Sequence, residues 1–245
     1  MKRLITILFV LCFLQYQYCT AQRTYVLSIG ISRYQDESMN LNQATKDAKS
    51  FRDVMLKHTE DVSILTSKYA THDNILEKLS FICERAKADD RIIFFFSGHG
   101  FNGGVATYES YIFYSEIVDV LARSAASTKV LFIHACHSGS VSSDIKQENF
   151  NEEMAKKGNV ICFMSSRAEE YSWSVDWLSY SYFVNGLVKG LRGKADKNHD
   201  KQVTVIELFT YLYKDVVRKT KSAQHPQLIL PADSRNNVIL DWRNQ

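Results

Sequence analysis

The sequence predicts an α/β protein whose mostly parallel sheet is covered by helices on both faces. Strand-like and helical segments alternate along the chain, which is typical of parallel strands connected by helices. Residues 92–96 and 130–133 are continuously apolar, as expected for central strands buried on both faces. The hydrophobic content of 45% and the charged content of 23% are those of an ordinary globular protein.

Six segments are predicted as strands because they are short and rich in β-branched and aromatic residues: 24–30, 61–67, 91–96, 129–135, 159–166 and 226–230. Five longer segments with apolar residues at helical spacing are predicted as helices: 41–58, 71–88, 115–125, 179–193 and 203–219. A chain of 245 residues can build one domain with a sizeable core. Residues 22–245 are therefore interpreted as a single domain.

Residues 1–21 have the pattern of a secretory signal peptide. Lys2 and Arg3 precede an apolar run at 4–14 that is short for a membrane span. Small residues at 19–21 then have the spacing of a cleavage site. A membrane anchor is the weaker interpretation, because glutamines interrupt the end of the run. We therefore expect an exported protein, periplasmic or extracellular, that has no membrane association once the signal is removed.

The mature chain has little net charge. Removal of residues 1–21 leaves 28 Lys and Arg against 27 Asp and Glu, so the formal charge is +1. A sequence-independent nucleic-acid binder needs a strong basic excess, and that class is excluded. Three cysteines remain, so at least one is unpaired. Cys83 and Cys162 lie in apolar patterns and are predicted to be buried packing residues, whereas Cys136 lies in a Gly-rich stretch.

Two predicted central strands end in reactive loops. Residues 97–100 read Ser-Gly-His-Gly, and residues 135–139 read Ala-Cys-His-Ser-Gly. Loops that follow neighbouring parallel strands converge, so His99 is expected close to Cys136. An imidazole can generate the thiolate that acts as a nucleophile. The amides of Gly100 and Cys136 are candidates for an oxyanion hole.

These two motifs resemble the caspase-like cysteine peptidases, and among them the metacaspases and their bacterial relatives. The stretches "FFFSGHG" and "VLFIHACHSG" carry the resemblance, and "THDNILEKL", "EEYSWS", "ADKNHDKQVTVIEL" and "QHPQLIL" extend it to residues 25–230. It implies a three-layer α/β/α sandwich and an acyl-enzyme mechanism on peptide or protein substrates, with no required cofactor. The roles it implies are nucleophile for Cys136, general acid/base for His99, oxyanion hole for Gly100, and substrate binding for Ser97, Ser172, Trp173 and Ser174. Where caspases end the substrate-pairing strand in arginine, this chain has Ser174.

His134 departs from the family pattern. Metacaspases carry an acidic residue two positions before the nucleophile, which selects Arg or Lys, and caspases carry glutamine there. In a first interpretation, His134 is a neutral, hydrogen-bonded wall of the specificity pocket. In a second, it changes the specificity, either with a basic-selective charge supplied from residues 169–176 or with a preference for another residue type.

A zinc site is a third interpretation of the same cluster. It would combine His134, Cys136 and His137 with His99. The spacing of the first three is too tight for the usual structural zinc patterns, which disfavours this interpretation.

An acidic stretch at residues 196–207 matches the calcium-loop template. Asp196, Asn198, Asp200 and Glu207 occupy its first, third, fifth and twelfth positions. Lys201 stands at the sixth position, where glycine normally makes a sharp turn. The alternative is a surface turn followed by a capping box that opens the last helix. Calcium is thus a possible ligand, and no other metal or cofactor is expected.

Residues 138–159 form a polar stretch between two predicted central strands. In caspase-like peptidases such a stretch can be cut during maturation, with candidate cut points at Asp144, Lys146, Lys156 and Lys157. An uncut surface loop with one short helix is the alternative. The chain as a whole is interpreted as a secreted endopeptidase, with a catalytically lapsed binding module as the alternative function. Whether it is a monomer or a homodimer does not follow from the sequence.

Overall fold

A computed structural model describes residues 22–136, 149–166 and 181–243. Strands and helices alternate along these ranges. In these ranges the strands are β1 Thr24–Gly30, β2 Val62–Thr66, β3 Arg91–Phe101, β4 Gly104–Ala106, β5 Tyr111–Phe113, β6 Thr128–Cys136, β7 Val160–Met164, β8 Gln202–Thr204, β9 Gln227–Ile229 and β10 Val238–Asp241. The α-helices are α1 Ala44–Met55, α2 His72–Arg85, α3 Tyr114–Ala122, α4 Glu152–Gly158, α5 Tyr182–Lys189 and α6 Val205–Lys219. Short helical turns occur at Glu37–Met39, Ser67–Tyr69, Gly190–Lys194 and Ser234–Asn236.

One sheet dominates the fold, with the strand order β2-β1-β3-β6-β7-β9. Strands β2, β1, β3, β6 and β7 pair in parallel, and β9 is antiparallel to β7. This confirms the predicted, mostly parallel sheet of about six strands. A hairpin of β4 and β5 extends from the end of β3, and β8 pairs with β10 in a separate ribbon. These short strands were not predicted, because three or four residues show no clear alternation.

Successive residues of the central strands face two different helical layers. Leu27 and Phe94 belong to a core with α2, α3 and α4, whereas Val26 and Phe95 belong to a core with α1, α5 and α6. In the second core, the ring of Phe51 stacks on that of Phe95 with a centroid distance of 4.4 Å. The α/β/α sandwich expected from the family resemblance is confirmed.

Helix α1 packs unusually close to the end of β1. A Cβ atom on Gly30 would lie 2.4 Å from the carbonyl oxygen of Ala44 and 2.6 Å from the Cβ of Ala48. The Ser28 hydroxyl also donates to the Ala48 carbonyl over 2.9 Å. This contact between glycine and helix fixes the position of the first turns of α1 beside the carboxyl ends of the strands.

Strands β3 and β6 are longer than the sequence predicts. The predicted loop at 97–100 is the last part of β3, and Cys136 is the last residue of β6 rather than a loop residue. Parallel pairing between the two strands continues to His99 and Cys136, and Gly100 then pairs with β4, which keeps this stretch extended despite its glycines. The motif residues therefore lie on the sheet itself.

The remaining element boundaries agree broadly with the predictions. Helix α6 begins at Val205 rather than at 203, because residues 202–204 form β8. Cys83 and Cys162 are buried free thiols, as predicted. Among the described residues, none of the helices has the length and apolar character that crossing a membrane requires.

Candidate active site

The two motif residues are direct neighbours in the sheet. In the β3–β6 register, His99 is the Cα partner of Cys136, and the preceding pairs include Ser97 with His134. Neighbouring strands lie about 4.8 Å apart. The structure therefore brings together the main chains of the two predicted catalytic residues.

His99 is held by main-chain and aromatic contacts on the side of residues 34–39. Its Nε2 lies 2.8 Å from the Met39 carbonyl oxygen, and its amide donates to the Tyr34 hydroxyl over 2.8 Å. A carbonyl oxygen can only accept, so Nε2 carries the hydrogen of this bond, and Nδ1 of the neutral ring holds a lone pair. Burial raises the pKa of Tyr34, which therefore remains a neutral hydroxyl. The bond to Met39 thus leaves Nδ1 as the ring nitrogen that can accept a proton.

Gly100 and a surface cleft complete the surroundings of His99. Gly100 pairs with Val105 where β3 turns into the β4–β5 hairpin. The cleft, of about 350 Å³, lies between the 34–39 segment and residues 107–111, and both Tyr34 and Met39 line it. His99 itself does not line this cleft, but it is partly exposed and contacts two residues that do, Tyr34 and Met39.

Asp47 of α1 is a buried carboxylate beneath the site that was not predicted. It is 1% exposed. The Ser97 hydroxyl donates to its Oδ2 over 3.0 Å, and the Ser181 amide donates to its Oδ1 over 3.3 Å. Ser97, expected from the resemblance to bind substrate, is itself buried, and its hydroxyl is engaged by Asp47. The sequence signal was an aspartate on the apolar face of α1, three residues after Ala44 and four before Phe51.

His134 lies against Asp47 and the first turn of α5. Its ring stacks on that of Phe183 with a centroid distance of 5.8 Å and an interplanar angle of 13°. The distance from Nε2 to the Asp47 Oδ2 is 3.9 Å, too long for a hydrogen bond, and the buried Nδ1 has no hydrogen-bond partner. The side chain is 11% exposed. The first interpretation of His134 described a hydrogen-bonded wall, and no such bond is present at Nδ1.

Burial controls the charge of both groups. It lowers the pKa of His134 to about 4 and raises the pKa of Asp47 to about 7, since a low-dielectric environment disfavours the charged forms. The hydrogen bonds from Ser181 and Ser97 act against the rise at Asp47. At neutral pH the imidazole is uncharged, and Asp47 is close to the midpoint of its titration.

Several predicted residues lie outside the described part of the chain: residues 1–21, His137, the cut points at 144 and 146, residues 169–176, and Ser172, Trp173 and Ser174. Lys156 and Lys157 are described, and they lie in α4. Proteases bind extended segments, so their position in a helix makes them poor cut points.

The predicted calcium loop lies far from the dyad, toward the edge of the sheet where β3 begins. Arg91, the first residue of β3, donates through Nε to the Val238 carbonyl of β10, and β10 pairs with β8, which is part of the loop stretch. The capping box of Thr204 and Glu207 is present at the start of α6. Within residues 22–136, 149–166 and 181–243, no group of three or more His, Cys, Asp or Glu side chains is arranged to hold a metal ion.

Comparison with known proteins matches this architecture to one family. The family model described as the caspase domain matches residues 23–234. The structure is similar to caspase-1 from Spodoptera frugiperda, at 14% sequence identity and a TM-score of 0.65, over 88% of this chain and 91% of that one. It is also similar to a protein from Geobacter sulfurreducens, at 14% identity and a TM-score of 0.64, over 86% of this chain and 94% of that one. None of the curated protein sequences matches it significantly.

Proposed function

Because the chain belongs to the caspase domain family of cysteine peptidases, we propose that it is an exported endopeptidase that uses Cys136 as nucleophile and His99 as general acid/base. The observation that carries the proposal is the β3–β6 register, which pairs these two residues. The bond from His99 Nε2 to the Met39 carbonyl supports it, because it leaves Nδ1 free to accept the thiol proton. Peptides and proteins are the proposed substrates.

The proposed reaction is acyl transfer in two stages. The Cys136 thiol gives its proton to His99 Nδ1, and the thiolate attacks the carbonyl carbon of the scissile peptide bond. His99 then protonates the departing amine, which leaves a thioester on Cys136. In the second stage His99 takes a proton from water, the resulting hydroxide attacks the thioester, and the acid product leaves as the thiol is regenerated. The amides of Gly100 and Cys136 are proposed to stabilise the oxyanion in both stages.

We also propose that the residue preference differs from the basic-selective norm of metacaspases. His134 is uncharged at neutral pH, so it supplies no carboxylate at the position two before the nucleophile. Asp47 lies 3.9 Å from His134, but it is buried and its oxygens already accept bonds from Ser97 and Ser181. A panel of fluorogenic peptides with Arg, Lys, Asp, Asn or Leu before the scissile bond measures this preference. A clear preference for Arg and Lys would contradict the proposal.

Labelling with an acyloxymethyl ketone probe tests the dyad. We expect rapid labelling of the mature chain at Cys136, located by mass spectrometry of the peptides. Replacement of Cys136 by Ala should abolish labelling, and His99→Ala should slow it by roughly 10²–10⁴-fold, the usual contribution of a general base. Cys83→Ser is the matched control, because burial raises the pKa of that thiol to about 11 and keeps it unreactive.

A catalytically lapsed binding module predicts a different pattern. In that case Cys136 would be labelled slowly, at a rate independent of His99. Equal rates for the wild type and the His99→Ala variant would therefore overturn the proposed enzyme.

A further inference from the structure

The loop at residues 196–207 has the backbone of a calcium loop in spite of its lysine. His199 and Lys201, at the fourth and sixth template positions, adopt φ angles of 61° and 62°. The sixth position is where glycine normally supplies a positive φ. Lys201 supplies this positive φ instead.

Side-chain oxygens of the loop are folded back onto its own amides. The Lys201 amide donates to Asp196 Oδ2 over 3.1 Å, and the Asp200 amide donates to Asn198 Oδ1 over 3.1 Å. The Gln202 amide donates to Asp200 Oδ1 over 2.8 Å. The side chains at the first, third and fifth positions are therefore all bonded within one turn of the chain.

An independent observation points to a missing cationic partner. Asp196 is 9% exposed, and its Oδ1 is buried without a hydrogen-bond partner, while the other oxygen of the same carboxylate reaches across the loop to Lys201. A buried carboxylate oxygen without a partner is costly, and such an atom calls for a bound ion or water. The loop geometry does not by itself satisfy this oxygen.

We infer that this loop is a weak Ca²⁺ site, in which Asp196, Asn198 and Asp200 bind through their side chains and Gln202 through its carbonyl oxygen. These are the hard oxygen ligands that Ca²⁺ prefers, at the template positions that supply them. Glu207 at the twelfth position is the remaining acid. Its Oε2 now accepts from the Thr204 amide and hydroxyl, so it must leave the capping box to bind the ion.

The affinity follows from these costs. Two ligand carboxylates, Asp196 and Asp200, are in place in the loop, whereas the third, Glu207, is engaged in the capping box. The Lys201 ammonium also adds a positive charge near the loop, which opposes cation binding. We expect a dissociation constant on the order of 10⁻⁴–10⁻³ M, the range of extracellular calcium modules. A protein exported to a calcium-containing compartment would bind calcium in that range.

Thermal unfolding and terbium luminescence of the mature chain test this inference. At 10 mM CaCl2 we expect the melting temperature to rise by about 3–11 °C, because this concentration is roughly 10 to 100 times the expected dissociation constant, with a smaller rise for MgCl2. The Trp242 amide donates to the Lys201 carbonyl over 3.1 Å, so a tryptophan lies beside the loop. Excitation of that ring should therefore sensitise bound Tb³⁺, and added Ca²⁺ should suppress the emission.

Four variants locate the site. Asp200→Asn and Asp196→Asn should each weaken calcium binding at least tenfold. Lys201→Gly should bind several-fold more tightly and should melt at a higher temperature without calcium, because glycine adopts a positive φ without strain. Asp233→Asn removes the same charge from another exposed turn and should behave like the wild type.

Three outcomes would overturn the inference. The first is the absence of a calcium-dependent shift in both the wild type and Lys201→Gly. The second is a shift that survives Asp200→Asn, or one that magnesium reproduces in full. The third is terbium emission that Trp242→Phe leaves unchanged, since the ion would then lie near another tryptophan.

Discussion

At the scale of single residues, Asp47 and His134 determine the charge beneath the site. On folding, the pKa of Asp47 rises from 3.8 to about 7 and that of His134 falls from 6.5 to about 4. Taken alone, Asp47 makes the free energy of unfolding fall as the pH rises from about 3.8 to 7, because the folded carboxyl keeps its proton longer than the unfolded one. Taken alone, His134 makes it fall as the pH drops from about 6.5 to 4, because only the unfolded imidazole takes up a proton there. Between about pH 4 and 6.5 the folded and the unfolded pair each hold one proton, on the carboxyl and on the imidazole respectively. The two effects then cancel, and the free energy of unfolding changes little with pH.

Replacing Asp47 by Asn should remove this compensation. Only His134 then contributes, and it is protonated in the unfolded chain but neutral in the fold, so stability should rise with pH by about 1.4 kcal/mol per unit between roughly pH 4.5 and 6.5. Urea unfolding at three pH values in this window measures the slope. Asp53→Asn, an exposed change on the same helix, should keep the profile of the wild type. A stability profile for Asp47→Asn that matches the wild type would contradict the compensating pKa shifts of Asp47 and His134.

Residues of the site differ in how well the sequence predicts them. His99 and Cys136 stand in short motifs with glycines beside them, so they were predicted from their local context. Asp47 lies 50 residues before its partner Ser97, and only the packing of α1 on the sheet brings the two together. Its position on an apolar helix face was the available signal, but a helix face alone does not predict which residues a buried acid will contact.

At the scale of elements, the contact between α1 and β1 supports the site from below. Gly30 leaves no room for a side chain beneath the first turns of α1, the turns that carry Asp47. Because one close neighbour is the main-chain carbonyl of Ala44, a methyl group at position 30 cannot be accommodated by a rotamer change. The helix itself would have to move.

The Gly30→Ala substitution should therefore destabilise the protein by about 1–3 kcal/mol, the usual cost of overpacking. Displacement of α1 should also disturb Asp47 and Ser97 and slow the labelling of Cys136. Chemical denaturation and the labelling rate measure the two effects. Lys49→Ala, an exposed change on α1, should alter neither. Wild-type stability of Gly30→Ala would show that the helix adjusts without cost.

The long elements were predicted because their periodicity extends over many residues, whereas their ends depend on pairing. Residues 97–100 look like a loop in isolation, since they contain two glycines. They are extended because β6 and β4 pair with them. No local pattern contains the information that a partner strand continues to the same point.

At the scale of the whole molecule, residues 137–148 lie between β6 and α4, in the connection that leads to β7, the neighbouring strand of the same sheet. Strand β6 lies between β3 and β7 and pairs in parallel with both. A cut in this connection would separate the chain into two pieces that still share the central sheet and both cores. We expect the pieces to remain associated.

Intact mass of the mature chain, with Cys136→Ala as the inactive reference, tests self-processing. The expected cut lies in residues 137–148, where Asp144 and Lys146 are the candidates, and two fragments should co-elute at the native size in gel filtration. A Lys156→Ala/Lys157→Ala double variant should be processed like the wild type, because those residues lie in α4. Cleavage after either of these lysines, or fragments that also form in Cys136→Ala, would contradict self-processing in this connection.

The acceptor that orients His99 is the main-chain carbonyl of Met39, and this has a consequence for the evolution of the site. Every amino acid carries that carbonyl, so no substitution at position 39 can delete it. Selection for an oriented imidazole therefore acts on the path of the chain through residues 37–39, whereas the Met39 side chain is constrained by its packing against the hydrophobic core. We expect homologous sequences to keep an apolar residue at this position but to vary in which one, and a mutational scan should tolerate apolar substitutions there even though the proposed catalysis depends on the carbonyl of this residue.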